Sequence, residues 1–232
     1  MSLRFFIPAL LITATVVFLV TLGFWQLDRA DEKRSIETAI TKANTGVIEL
    51  ITNEKVLIDK EYYEVRLQGR YLNEKQFIYD NQIVNQVSGY FVLTPFVLNN
   101  EPGTLLINRG FIPWNGRRDK LADIFIEQDL REIKVQISKP IKRMELKPTE
   151  SAIEFPTLIQ SIDLEQMSDE ANIRFASVIG LLDNLSDEGY VREWEPYTGS
   201  IEKHIGYAVQ WFLMALVLGV IGIRIAIKQR KK

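Results

Sequence analysis

FFIPALLITATVVFLVTLGFWQL, residues 5–27, carries no charge over 23 residues. As an α-helix rising 1.5 Å per residue it covers roughly 35 Å, more than the ~30 Å hydrocarbon layer of a bilayer. It reads as a membrane span, and a second such stretch makes that reading decide the fold. IGYAVQWFLMALVLGVIGI, residues 205–223, is uncharged for 19 residues and runs on into Arg224 and the basic KQRKK terminus. A second transmembrane helix is therefore expected over 205–227. The first run is longer than the apolar part of a cleavable signal peptide, and GFWQLDR offers no small-x-small site, so it is expected to be retained.

Between the two runs the chain changes character. All 30 Asp and Glu fall between Asp28 and His204, with 22 of the 28 Lys and Arg, so that segment has eight more acids than bases. Such a surface repels nucleic acid and no nucleic-acid partner is expected. Arg224, Lys228, Arg230, Lys231 and Lys232 crowd the far end of the second run, whereas Arg29, Lys33 and Arg34 after the first are diluted by Asp28, Asp31 and Glu32. The positive-inside rule then puts both termini inside a multi-pass inner (cytoplasmic) membrane protein, with residues 28–203 facing the periplasm, cell-wall side or intermembrane space.

DRADEKRSIETAITKA reads as a continuation of the first helix into water. VIEL and EYYEVRLQGRYL alternate as strands do, with Tyr63, Val65, Leu67, Gly69 and Tyr71 on one face. QFIYDNQI, SGYFVLTPFVL and TLLINRGFI continue as an antiparallel meander with turns at VNQV and NNEPG. IKVQISKPI, TLIQSI and YVREW add strands, DLEQMSDEANIRFAS reads as a short helix, and LKPTESAIEFPT as a loop. The expected fold is membrane α+β: two transmembrane helices flanking an outward-facing, mostly antiparallel β domain with a short helix.

Nothing in that domain marks an enzyme. There is no nucleophile elbow, phosphate loop or zinc-protease motif, and no cysteine with a single histidine leaves too few ligands for an ordinary zinc or copper site. Asp80, Asn81, Asn108 and Arg109, read as loop residues, make only a weak catalytic set. NRG (108–110) reads as a tight turn whose arginine is held by a carboxylate.

The one histidine, His204, opens the second apolar run. In a helix beginning near Lys203 it shares a face with Tyr207 or Ala208, Trp211 and Ala215. Trp25 and Gln26 end the first run at the same membrane depth, so the two helix ends can meet. An aromatic belt that only anchors the helices explains Trp, Tyr and His at such a boundary. Gln26 and Gln210 in apolar surroundings, and Ala215 and Gly219 at small-xxx-small spacing with Gly222 beyond, favour helix contact or function.

GFWQLDRADEK, NRGFIP and HIGYAVQWF, in that order, resemble the signatures of the surfeit locus protein (Surf/Shy) family, assembly factors of haem-copper cytochrome c oxidase. GRYLNEKQFIYDNQ and GYFVLTPF extend the similarity across the middle. The resemblance implies a protein that helps deliver or stabilise haem a in oxidase subunit one, with His204 as axial ligand of the haem iron. It implies subunit one as partner, haem a synthase as a further candidate, and contact with membrane lipid. Trp25 and Trp211 would then flank the porphyrin, Gln26 and Tyr207 would offer hydrogen bonds, and Arg29 and Lys203 would stand on the propionate side. A scaffold that binds no cofactor is the alternative.

Overall fold

The computed structural model describes residues 3–43, 45–99, 103–116, 121–140, 154–194 and 200–230. Parts of the expected NNEPG turn (100–102), of the LKPTESAIEFPT loop (146–153) and of the basic terminus (231–232) lie outside these. Two compact units emerge, Met1–Ala39 with Glu195–Lys232, and Ile40–Trp194.

The first unit is a pair of long helices, α1 (Leu3–Ala43) and α4 (Ile201–Arg230). Helix α1 passes without interruption from the uncharged run into the polar continuation, where Arg29–Glu32 and Arg34–Asp31 pair across one turn. Helix α4 starts at Ser200, whose Oγ accepts the Lys203 N–H at 3.3 Å and occupies a donor that would otherwise be orphaned. Both apolar stretches stay uncovered: Leu11, Phe18, Leu216 and Ile223 are 60–63% exposed. A core helix of a water-soluble protein buries such residues, so this surface belongs in lipid.

In the second unit the strands are β1 (Glu49–Ile51), β2 (Glu64–Tyr71), β3 (Phe77–Val84), β4 (Val87–Leu98), β5 (Thr104–Pro113), β6 (Arg131–Ser138), β7 (Thr157–Ile159) and β8 (Phe175–Leu182). One short helix, α2 (Glu54–Leu57), follows β1, and α3 (Leu164–Ala171) precedes β8. The sheet order is β1-β2-β6-β8-β5-β4-β3-β7, and an extra β2–β4 pairing closes β2, β6, β8, β5 and β4 into a ring. Long β4 permits this: Val87–Leu93 pairs with β3, then Phe96–Leu98 pairs with β2. Five pairings are antiparallel, and β1–β2, β3–β7 and β5–β8 are parallel.

Alternation sorts side chains between two cores. On β5, Leu105 and Ile107 join Leu67, Tyr71, Phe96 and Val135 inside the ring, while Leu106 turns outward to Phe77, Leu93, Met167 and Ile179, which α3 helps to cover. Asp163 caps α3 through its Oδ1, and Asn172, with φ +53°, ends it. The chain then leaves as β8, a strand that the helical reading of DLEQMSDEANIRFAS had hidden. YVREW is not a full strand either; Val191 alone bridges to Phe111.

NRG is not a turn. Asn108 and Phe111 pair with Leu93 and Phe91, so Arg109 and Gly110 bulge against a single residue in the middle of β5. Gly110 takes φ +120°, where a Cβ would come within 2.9 Å of the Val191 carbonyl, and its N–H donates to Asn108 Oδ1. A second bulge on β3 holds Asp80 and Asn81 across β4, with Asp80 Oδ1 accepting the Trp114 indole N–H at 2.9 Å. The four residues read as loop residues are therefore strand residues held in structural roles.

Arg109 is buried, and carbonyl and amide oxygens receive it rather than a carboxylate. Its Nη1 donates to Gln76 Oε1 and Ile124 O. Gln76 is 3% exposed; its Oε1 also accepts from Thr94 Oγ1 at 2.7 Å, and its Nε2 donates to Asn73 Oδ1. Gln76→Leu would leave the Thr94 hydroxyl without its acceptor and take one of two acceptors from Arg109 Nη1 in the interior, at about 2–3 kcal/mol. For a chain of this size that corresponds to a melting temperature lower by roughly 5–10 °C in detergent. An unchanged melting curve would show that water replaces the amide.

Candidate functional site

The two helices of the first unit run antiparallel, since residue numbers rise along one as they fall along the other at their contacts. A Cβ at Gly23 would stand 2.5 Å from the Phe212 ring, and one at Gly222 would stand 2.9 Å from Ile12 Cγ2. The Phe24 and Phe212 rings meet edge to face at 5.3 Å. Ala208 (1% exposed), Ala215 (4%) and Gly222 mark the seam on α4 at a seven-residue period, the spacing of two helices in lengthwise contact. The small-xxx-small expectation is corrected here: a Cβ on Gly219 would meet nothing within 4 Å, so that residue lies beside the contact.

At the end of this seam His204 Nδ1 lies 2.7 Å from Gln26 Oε1, across 178 residues of sequence. An amide oxygen can only accept, so the imidazole donates from Nδ1. In the neutral ring the lone pair is then on Nε2. A hydrogen bond to the second nitrogen is the device that fixes tautomer and ring orientation in histidine ligands of metals. Both residues are half-buried between the helices.

The other expected site residues lie at different distances from this pair. Trp211 is on the seam, half-buried, with its indole N–H enclosed and unpartnered among the described residues. Tyr207 is 52% exposed on the flank of α4. Trp25 is 48% exposed, with the Arg29 guanidinium 5.9 Å above its ring. Arg29 also donates to Glu32 at 2.6 Å, and Lys203 is exposed in the first turn of α4. Ala208 lies on the expected His204 face, whereas Gly23 and Phe212, which meet at the contact, were missed; Gly23, the one glycine of the first apolar run, was the available signal.

Comparison with known proteins places this geometry. The model of the SURF1 family matches residues 13–216, which take in Gln26, the β5 bulge and His204. The chain belongs to the SURF1 family. A SURF1-like protein of Rickettsia felis is 24% identical over 222 residues, covering 91% of this chain and 93% of the relative. One of Rickettsia bellii is 30% identical over 113 residues, and one of Monosiga brevicollis 31% identical over 116. Those two matches span 48% and 45% of this chain, and 44% of the length of each relative. The SURF1 match thus takes in most of α1, the whole sheet and the first half of α4.

Proposed function

We propose that this SURF1-family chain is a membrane-bound assembly factor of haem-copper cytochrome c oxidase that holds haem a through His204 on its way to subunit one. The His204–Gln26 hydrogen bond carries the reading. It orients the only imidazole in the chain and leaves Nε2 with its lone pair, the form in which imidazole serves as an axial ligand of haem iron. Bound there, the haem would supply a visible chromophore and the cargo itself. No reaction is asked of the protein, and one protein ligand suits a carrier that must release what it holds.

The remaining residues would act around that ligand. Gln26 fixes the ring, Trp211 and Trp25 offer aromatic surface at the same end of the pair, and Tyr207 a hydroxyl. Arg29 and Lys203 would face haem propionates, Arg29 by exchanging Glu32 for a propionate. The basic stretch after the second span supports both termini inside an inner membrane, with the β domain outside.

The test is the visible spectrum of the detergent-purified protein from cells that make haem a, together with co-purification of subunit one. Absorbance of a bound haem at near one per chain is expected. A colourless protein that still co-purifies with subunit one would establish the scaffold reading instead.

A further inference from the structure

The β domain carries a cavity of about 420 Å³ lined by residues of β5, β6 and the segments around 123–127 and 187–190. Arg109, 4% exposed, lies in its wall. The Arg109 Nη1 donates to Gln76 and Ile124 oxygens, Nε donates to Glu188 O at 3.1 Å, and the guanidinium carbon lies 5.1 Å from the Tyr190 ring and 5.7 Å from that of Tyr71. Every one of these partners is neutral, Tyr71 especially: burial first, and then the Glu188 carboxylate, push its phenol far above the ordinary value.

Arg131, whose guanidinium carbon is also 5.7 Å from the Tyr71 ring, is different. Its Nη1 donates to Glu188 Oε1 at 2.7 Å and its Nη2 pairs with Asp129, so its charge is met. Among the described residues Arg109 has no such carboxylate. Its Nε and Nη1 are taken up by neutral oxygens, and its guanidinium stands beside the Tyr190 hydroxyl in the cavity wall. A cation kept this far from water without a counter-charge is costly, and a carboxylate arriving from outside would remove that cost.

The rim has the opposite sign. Asp123, Glu127 and Asp187 are exposed around the opening, beside Phe125, which is 66% exposed. Three carboxylates repel a free small anion but attract a basic polypeptide surface, and Phe125 adds an apolar contact. Glu188 also lines the cavity but is held by Arg131, so Arg109 is the cation left at its wall, and with the anionic rim it describes one kind of complement.

We propose that this cavity is a docking site for a partner protein, receiving a single Glu or Asp side chain carried on a locally basic segment. Its carboxylate pairs with the Arg109 guanidinium, and the flanking Lys or Arg side chains meet Asp123, Glu127 and Asp187.

Two peptides test this on the full chain in detergent at low ionic strength: acetyl-Lys-Lys-Glu-Lys-Lys-amide and its Lys-Lys-Gln-Lys-Lys counterpart, each titrated by calorimetry. Long-range attraction to an acidic domain favours the glutamine peptide, which carries the larger positive charge. The proposal requires the reverse, with the glutamate peptide bound about tenfold more tightly. Arg109→Gln should erase that preference. Asp187→Asn, on the exposed rim, should weaken both peptides alike and keep their ratio. Wild-type protein that binds neither peptide, or the glutamine peptide as tightly, overturns the proposal whatever the Arg109 variant does. A preference that survives in a folded Arg109→Gln protein does the same.

Discussion

Alanine at position 204 is expected to remove the haem absorbance of the purified protein almost completely, leaving less than about a tenth of the wild-type content. The chain has no other histidine and no cysteine. On α4 the other soft donor is Met214, ten residues or about 15 Å further along the helix, too deep to replace His204 at the same place. The protein itself should survive. The variant loses one hydrogen bond to Gln26, about 1 kcal/mol, in the first turn of a helix whose seam extends beyond it. Normal yield with lost colour therefore separates a ligand from a structural residue, and a collapse in yield would assign His204 to the helix contact. Gln26→Leu grades the argument. It keeps the imidazole but frees its tautomer and rotation, so affinity should fall about 10- to 100-fold. Equal haem in wild type and Gln26→Leu would mean that the hydrogen bond does not orient the ligand.

What the sequence disclosed, and what it withheld, follows from the range of each interaction. The spans were legible because 23 and then 19 uncharged residues are each long enough to cross a bilayer as a helix. The β2 face was legible because Val65, Leu67, Gly69 and Tyr71 alternate into the interior, as their burial shows. Strand β8 was not, because a well-capped helix runs into it and its parallel partner β5 begins some 70 residues earlier. Asn-Arg-Gly has the composition of a turn, but here the glycine's positive φ serves a bulge. No local rule announces that Arg109 is received by Gln76 and by Glu188 O, 33 and 79 positions away. The His204–Gln26 pair is more distant still, yet it could be anticipated, because two spans oblige the chain to return to the depth it left.

A cysteine pair at Ile12 and Gly222 is expected to form a disulfide within one chain in most molecules when the detergent-purified protein is treated with a mild oxidant such as copper phenanthroline. A Cβ at residue 222 would lie 4.0 Å from the Ile12 Cβ, inside the 3.5–4.5 Å range that disulfides require. The chain has no native cysteine, so the product reports this contact alone. Gly23→Leu should abolish it. A Cβ at residue 23 already overlaps the Phe212 ring at 2.5 Å, and a leucine there must push the helices apart or turn one of them. Such displacement would also carry Gln26 away from His204, three residues along the same helix, so crosslinking and haem content should fall together. Efficient crosslinking in the Gly23→Leu background would mean that Phe212 swings aside and the seam tolerates the side chain. Absence of the disulfide in the double-cysteine protein would go further: the two helices would not meet as described, and the histidine would lose the glutamine that aims it.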